Sequence, residues 1–130
     1  VRGVPGFPEP RTFDRALKLS IYERDNGQCF RCGLGCQDGD VHHRRGRGMG
    51  GRDSRECWIN SPANLIWLCR SCHNWIESHP LHAGPDGYRL GLGEIPEFCP
   101  VLGFDGVRYI LGDDLTKTPA AWARDPVPIG

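Results

Sequence analysis

Two Cys-x-x-Cys pairs, Cys29-Phe30-Arg31-Cys32 and Cys69-Arg70-Ser71-Cys72, bracket a His-His dipeptide at His42-His43. Two residues between the thiols of each pair let a tight turn aim both at one ion. Four thiolates presented this way suit a single tetrahedral zinc, a closed and chemically inert structural site. The 36 residues between the pairs exceed a usual zinc-ribbon gap and leave room for a two-stranded unit. Cys36 offers a wider-spaced alternative to Cys32. Cys57 and Cys99 sit among apolar neighbours and read as buried thiols.

The histidines are surplus to that zinc. Adjacent residues of a strand point to opposite faces, so His42 and His43 cannot both enter the core. One of them can bind a metal while the other faces a substrate held near it. His73 follows Cys72 directly, so the zinc would fix its direction. Glu77 lies one helical turn further on the same face, and His73 with Glu77 can present two ligands together. A glutamate on a helix surface is common, so Glu77 carries less weight than the histidines.

Formal net charge is zero, which argues against a nucleic-acid binder if charge is averaged over the chain. Its distribution argues the other way. Arg44, Arg45, Arg47, Arg52 and Arg55 fall within twelve residues, opposed within that span only by Asp53, and Lys18 and Lys117 are the only lysines. Arginine suits bidentate phosphate contacts, and Arg44, Arg45 and Arg47 beside the histidines are the candidate nucleic-acid contacts. With 18 glycines and 11 prolines in 130 residues, the core must be modest and the loops many. A structural metal would offset that, since its binding is also folding free energy. Seven cysteines, an odd number, and no apolar run of membrane-spanning length point to reduced thiols in a cytoplasmic setting. No signal peptide is evident in the sequence.

The elements that must position these groups follow from pattern. Residues 1–10 read as a flexible Pro- and Gly-containing arm. Phe13, Ala16, Leu17 and Ile21 form an apolar stripe that predicts a helix over 13–25, with Thr12 as N-cap and Asn26-Gly27 as its stop. Gly33 follows the first pair where the chain must double back. Val41 to Arg44 and Cys57-Trp58-Ile59 are the strand candidates, separated by a Gly- and Arg-rich loop. Asn64 to Leu68 carries the chain into the second pair, and Ser71 to Ser78 predicts a short helix ended by His79-Pro80. Beyond Pro80, Gly84-Pro85-Asp86-Gly87 is a turn. Residues 100–104 and 107–111 form a hairpin through Asp105-Gly106, and 116–130 read as a loose tail. Trp58, Trp67 and Trp75 read as core residues rather than base-stacking platforms.

The stretch Asn64-Leu65-Ile66-Trp67-Leu68-Cys69-Arg70-Ser71-Cys72-His73, taken with His42-His43 and Cys29/Cys32, resembles the HNH endonuclease family, in its four-cysteine zinc branch. The likeness covers roughly residues 25–80, and the segment from Gly87 to Leu102 is more weakly similar to extensions of small phage-type members. The resemblance implies an α+β fold: a zinc-stapled ββα-metal core over 11–82, with the N-terminal helix packed on it and a C-terminal β-hairpin extension over 83–115. It implies a structural Zn²⁺ at Cys29, Cys32, Cys69 and Cys72. It also implies a catalytic divalent ion (Mg²⁺, Mn²⁺, Ni²⁺ or Zn²⁺) at His42 and His73, with Glu77 as a further contact where several relatives carry histidine. His43 would be the general base and Asn64 a structural residue holding the loop that carries it. The implied activity is hydrolysis of DNA phosphodiester bonds to 5′-phosphate and 3′-hydroxyl ends. The implied setting is a host cytoplasm, with phage packaging proteins as partners. A rival from another class is a zinc-knuckle module that binds nucleic acid or protein without cutting; it accounts for the cysteines and arginines but not for His42, His43, Asn64 and His73. A thiol oxidoreductase fits worse, because no βαβ pattern surrounds either Cys-x-x-Cys.

Overall fold

The computed structural model describes residues 13–46 and 57–120, and the chain is mixed α and β. In order it forms helix α1 (Arg15–Arg24), strands β1 (Asp40–His43) and β2 (Leu65–Leu68), helix α2 (Arg70–Ser78) and a single turn α3 (Pro80–Ala83). Strands β3 (Val101–Leu102), β4 (Arg108–Leu111) and β5 (Lys117–Pro119) follow. No helix among the described residues is long and apolar enough to cross a membrane. The arm at 1–10 and the arginines at 47, 52 and 55 lie outside the described residues.

Helix α1 begins at Asp14, whose Oδ1 accepts from the Leu17 amide at 2.9 Å; Thr12, the expected cap, lies outside the described residues. It ends where Asn26 and Gly27 both turn left-handed, at φ 57° and 67°. The cap contributes about 1 kcal/mol. Burial of Leu17 and Ile21 contributes about 1.5–3 kcal/mol each, so packing rather than capping decides where the helix lies. Ala16, expected in the apolar stripe, is exposed. Arg24 and Asp25 then pin the helix end to β2. Arg24 donates to the carbonyls of Pro62 (2.8 Å) and Leu65 (2.6 Å) and pairs with Asp25, while Asp25 accepts from the Trp67 amide at 3.0 Å.

The second strand is not where the sequence pattern puts it. Cys57–Asn60 and Pro62–Asn64 are two 3-10 turns, and the strand that pairs with β1 is Leu65–Leu68. Pro62 lacks the N–H that a ladder position requires and starts a turn instead. Leu65-Ile66-Trp67-Leu68 is apolar at every position because both faces of β2 are covered. Ile66 and Leu68 join a core with Phe30, Ile76, Tyr88, Val101 and Leu111. Leu65 and Trp67 pack under α1 with Leu17 and Ile21.

The register turns this two-sided strand into a sorting device. β1 runs antiparallel to β2 with Asp40 opposite Leu68, Val41 opposite Trp67, His42 opposite Ile66 and His43 opposite Leu65. Paired residues share a face. Asp40 and His42 therefore lie on the side that α2 covers, and Val41 and His43 on the side of α1.

The C-terminal part is a three-stranded antiparallel sheet in the order β3-β4-β5, not a two-stranded hairpin followed by a tail. Gly106, at φ 81°, closes the expected turn at Asp105-Gly106. The tail expected from 116 onward is ordered at its start: Lys117–Pro119 pairs with Leu111–Tyr109 as an edge strand, which can tolerate Pro119. Tyr88, Val101 and Leu111 share the core of β2 and α2, so this sheet is packed onto the cysteine-bearing part of the molecule.

Candidate metal centre

The sulfurs of Cys29, Cys32, Cys69 and Cys72 lie within 4.8 Å of one another. Four thiolates on zinc, each with a bond of about 2.3 Å, stand roughly 3.8 Å apart; Cys32 and Cys69 are 3.8 Å apart. The donor set and its spacing fit a structural zinc. Local structure builds the cluster. Gly33, at φ 82°, lets the first turn close with its amide on the Cys29 carbonyl at 2.8 Å. The Phe30 amide donates to the Trp67 carbonyl at 2.8 Å and fastens that turn to β2. Cys69 caps α2, accepting from the Cys72 amide at 3.4 Å. A helix N-terminus favours a thiolate there: burial raises the Cys69 pKa, and hydrogen bonds from Cys72 and its cysteine neighbours outweigh that and lower it. Cys36 does not belong to the group. It is half-buried, and its carbonyl accepts from the Trp67 indole at 2.9 Å. Cys99 is half-buried rather than buried.

His42 and His73 meet edge to face across β1 and α2, with ring centres 5.2 Å apart. His42 is buried, and its Nε2 lies 2.7 Å from the Tyr88 carbonyl. A carbonyl can only accept, so Nε2 carries the proton and Nδ1 keeps its lone pair in the neutral ring. Burial pushes the His42 pKa down to about 4, against the pull of the Tyr88 carbonyl, so the ring is neutral near pH 7. His73 shows the opposite tautomer. Its Nδ1 lies 3.0 Å from Asp40 Oδ2 and donates to it, so in a neutral ring Nε2 is the nitrogen with the lone pair. Asp40 is kept ionised: burial would raise its pKa, but the bonds from His73 and Arg70 lower it. Two imidazoles on one ion at about 2.1 Å have ring centres roughly 5 Å apart, so the pair has the spacing a shared ion requires.

Glu77 does not join them. It ion-pairs with Arg89 at 2.9 Å on the outer side of α2. Among the described residues, the four cysteines are the one group of three or more ligand atoms gathered closely enough for a metal.

His43, on the other face of β1, lies 2.9 Å through Nε2 from Asn60 Oδ1 and packs against the Phe13 ring at 5.7 Å. Asn64 is fully buried. Its Oδ1 accepts from the Arg45 amide at 2.8 Å, and its Nδ2 donates to the carbonyls of Arg45 (3.1 Å) and Ile59 (2.9 Å). The turn that leaves β1 just after His43 is thereby tied to the start of β2.

Arg44 is a correction. Expected to contact a phosphate backbone, it is 1% exposed and its guanidinium is caged by the carbonyls of Ala63, Gly87, Pro96 and Cys99. Directly after His43, the side chain points to the α2 side, where the C-terminal segment closes over it, so it cannot reach a ligand. Burial pushes its pKa down to about 10, which still leaves it charged at neutral pH. Arg45 is half-buried, with its peptide held by Asn64 at both ends, and Arg47 lies outside the described residues. The tryptophans divide. Trp67 is core, whereas Trp75 is a half-buried surface ring between Arg31 (3.9 Å) and a stacked His79 (4.5 Å). The side chain of Trp58 lies outside what the structure describes.

Sequence reasoning missed Asp40, Tyr88 and Asn60. Asp40 was legible in principle, since an Asp-x-His alternation puts both side chains on one strand face. The other two act across long chain separations, and no local pattern reveals them. No protein-family model matches the chain, and neither a curated protein nor a solved structure matches it.

Proposed function

We propose that the chain is a metal-dependent DNA endonuclease of the HNH type, with a ββα-metal core stapled by a structural zinc. The observation that supports it most is the facing pair His42 and His73, each held by a hydrogen bond in the tautomer that leaves one nitrogen for a metal. His42 is buried and His73 half-buried, and their rings lie 5.2 Å apart. The fixing of the turn after His43 by Asn64 adds to it.

In this reading His42 and His73 hold a divalent ion. When bound there, such an ion would supply charge neutralisation for the phosphate under attack and for the departing 3′ oxygen. His43, the last residue of β1, accepts the proton of the attacking water; general-base assistance of this kind contributes roughly 10²–10⁴ in rate. Asn64 holds that strand end in place. The zinc at the four cysteines takes no part in the chemistry and fixes the start of α2, hence the direction of His73. Contacts to the DNA backbone fall to Arg45 and Arg47, Arg44 being enclosed.

The test is plasmid cleavage by the purified protein after EDTA treatment, with Mg²⁺, Mn²⁺, Ni²⁺ or no metal restored, alongside His43→Ala. Metal-restored cleavage that disappears in the variant is the expected result. One observation favours a second reading. The cysteines form the one complete ligand set among the described residues, as a non-catalytic zinc-knuckle module would require. Retardation of DNA on a gel with no cleavage under any metal would establish that module instead.

A further inference from the structure

We propose that Asp40 is the positioning residue that aims His73 at the divalent ion, an inference that rests on the nuclease reading above. The two histidines are oriented by different means. His42 is fixed by a backbone carbonyl, that of Tyr88 at 2.7 Å, which no side-chain substitution removes. His73 is fixed by a side chain, Asp40 Oδ2 at 3.0 Å from Nδ1. A carboxylate accepts the Nδ1–H, holds the ring plane and increases the basicity of Nε2, the nitrogen left for the metal.

The fold brings the two together for a simple reason. Asp40 stands two residues before His42, so both face α2, and His73 sits in the first two turns of that helix. The carboxylate is itself held. Arg70 reaches it with Nε at 2.8 Å and Nη2 at 3.2 Å, which sets its rotation. The Arg70 side chain is 70% exposed, so this ion pair adds little stability, and its effect is geometric. Glu77, the carboxylate that helical spacing suggested, is occupied by Arg89 and leaves this role to Asp40. Asp40 and His73 also line an open cleft of about 430 Å³ with Phe13, Lys18 and Arg70.

The experiment uses the purified full chain and two readouts besides activity. Nitrogen-15 shifts of the His73 ring report which nitrogen carries the proton, and Mn²⁺ titration followed by electron paramagnetic resonance reports affinity for a hard ion that the thiolates do not attract. Asp40→Ala is expected to lose the pure Nδ1–H tautomer and to weaken Mn²⁺ binding about 10–100-fold, with cysteine-bound zinc unchanged. Asp40→Asn, whose amide oxygen still accepts, recovers most of the tautomer. Arg70→Ala, which spares the His73 bond, keeps the tautomer and stays within about threefold in affinity, since an exposed pair contributes little. If His73 in Asp40→Ala keeps the wild-type tautomer, or Mn²⁺ binds as tightly, the positioning role is overturned while the metal site stands. A wild-type chain that takes up no Mn²⁺ overturns the metal reading, and the proposal with it.

Discussion

Asn64 holds Arg45 by both ends of its peptide: Oδ1 accepts from the Arg45 amide at 2.8 Å and Nδ2 donates to the Arg45 carbonyl at 3.1 Å. The side chain acts as a substitute strand partner at the point where β1 gives way to a loop. Asn64→Ala would leave the backbone groups it satisfies without that partner. Each such buried orphan costs about 1–3 kcal/mol. The expected loss is about 2–4 kcal/mol in urea unfolding, with cleavage falling further than stability because the strand end bearing His43 is released. A variant as stable as the parent would show that water replaces the amide.

Arg44 supplies a second stability prediction, opposite to its expected role. The guanidinium links Ala63, beside β2, to Gly87, Pro96 and Cys99 in the C-terminal segment. Lysine carries the charge but not the planar fork, so Arg44→Lys leaves several carbonyls unserved. Breaking a buried charged network typically costs about 3–5 kcal/mol, and unfolding in denaturant should show a loss of that order. If instead Arg44→Lys keeps its stability and weakens DNA retardation with a reduced salt dependence, the phosphate role returns.

The cysteine cluster predicts one zinc per chain by metal analysis. Cys72→Ser should lose the metal and cooperative unfolding together, because in a core this small metal binding is folding free energy. Cys36→Ser should retain both. A Cys72→Ser protein with a full complement of zinc and an unchanged melting temperature would remove Cys72 from the ligand set.

Asp105 and Tyr109 predict a pH response remote from the candidate site. The tyrosine hydroxyl donates to Asp105 at 2.5 Å across the β3–β4 turn. That bond, with some burial, pushes the Tyr109 pKa up to about 12. Slight burial would raise the Asp105 pKa, but the bonds from Tyr109 and the Val107 amide hold it below the usual range. The tie therefore stabilises the fold between the ordinary carboxylate and tyrosine pKa values. It is lost as pH falls through the lowered Asp105 pKa, and again as pH rises from about 10 toward 12. Tyr109→Phe should flatten both limbs of the stability profile. Ultraviolet titration of Asp105→Asn should show a tyrosine returned toward its ordinary range, and a transition unmoved from about 12 would contradict the pairing.

Local chemistry in the sequence determined the parts that depend on near neighbours. Two residues between thiols, a glycine free to adopt φ 82° and a helix beginning at the second pair were enough to specify the four-cysteine cluster. The α1 stripe, the Asn26-Gly27 stop and the Asp105-Gly106 turn were legible for the same reason. Alternation along a strand correctly placed His42 and His43 on opposite faces.

Tertiary structure decided whatever depended on a partner distant in the chain. Cys57–Ile59 looked like a strand because it is apolar and short, but the ladder went to Leu65–Leu68, which alone had both faces to bury. Arg44 looked like a solvent-facing cation until carbonyls from residues 63, 87, 96 and 99 closed around it. Lys117–Pro119 looked like tail until β4 offered an open edge. Glu77 shared a helix face with His73, yet Arg89, twelve residues on, took its charge. Spacing in a sequence states which side chains can share a face; which of them meet is set by the competing partners that folding brings to that face.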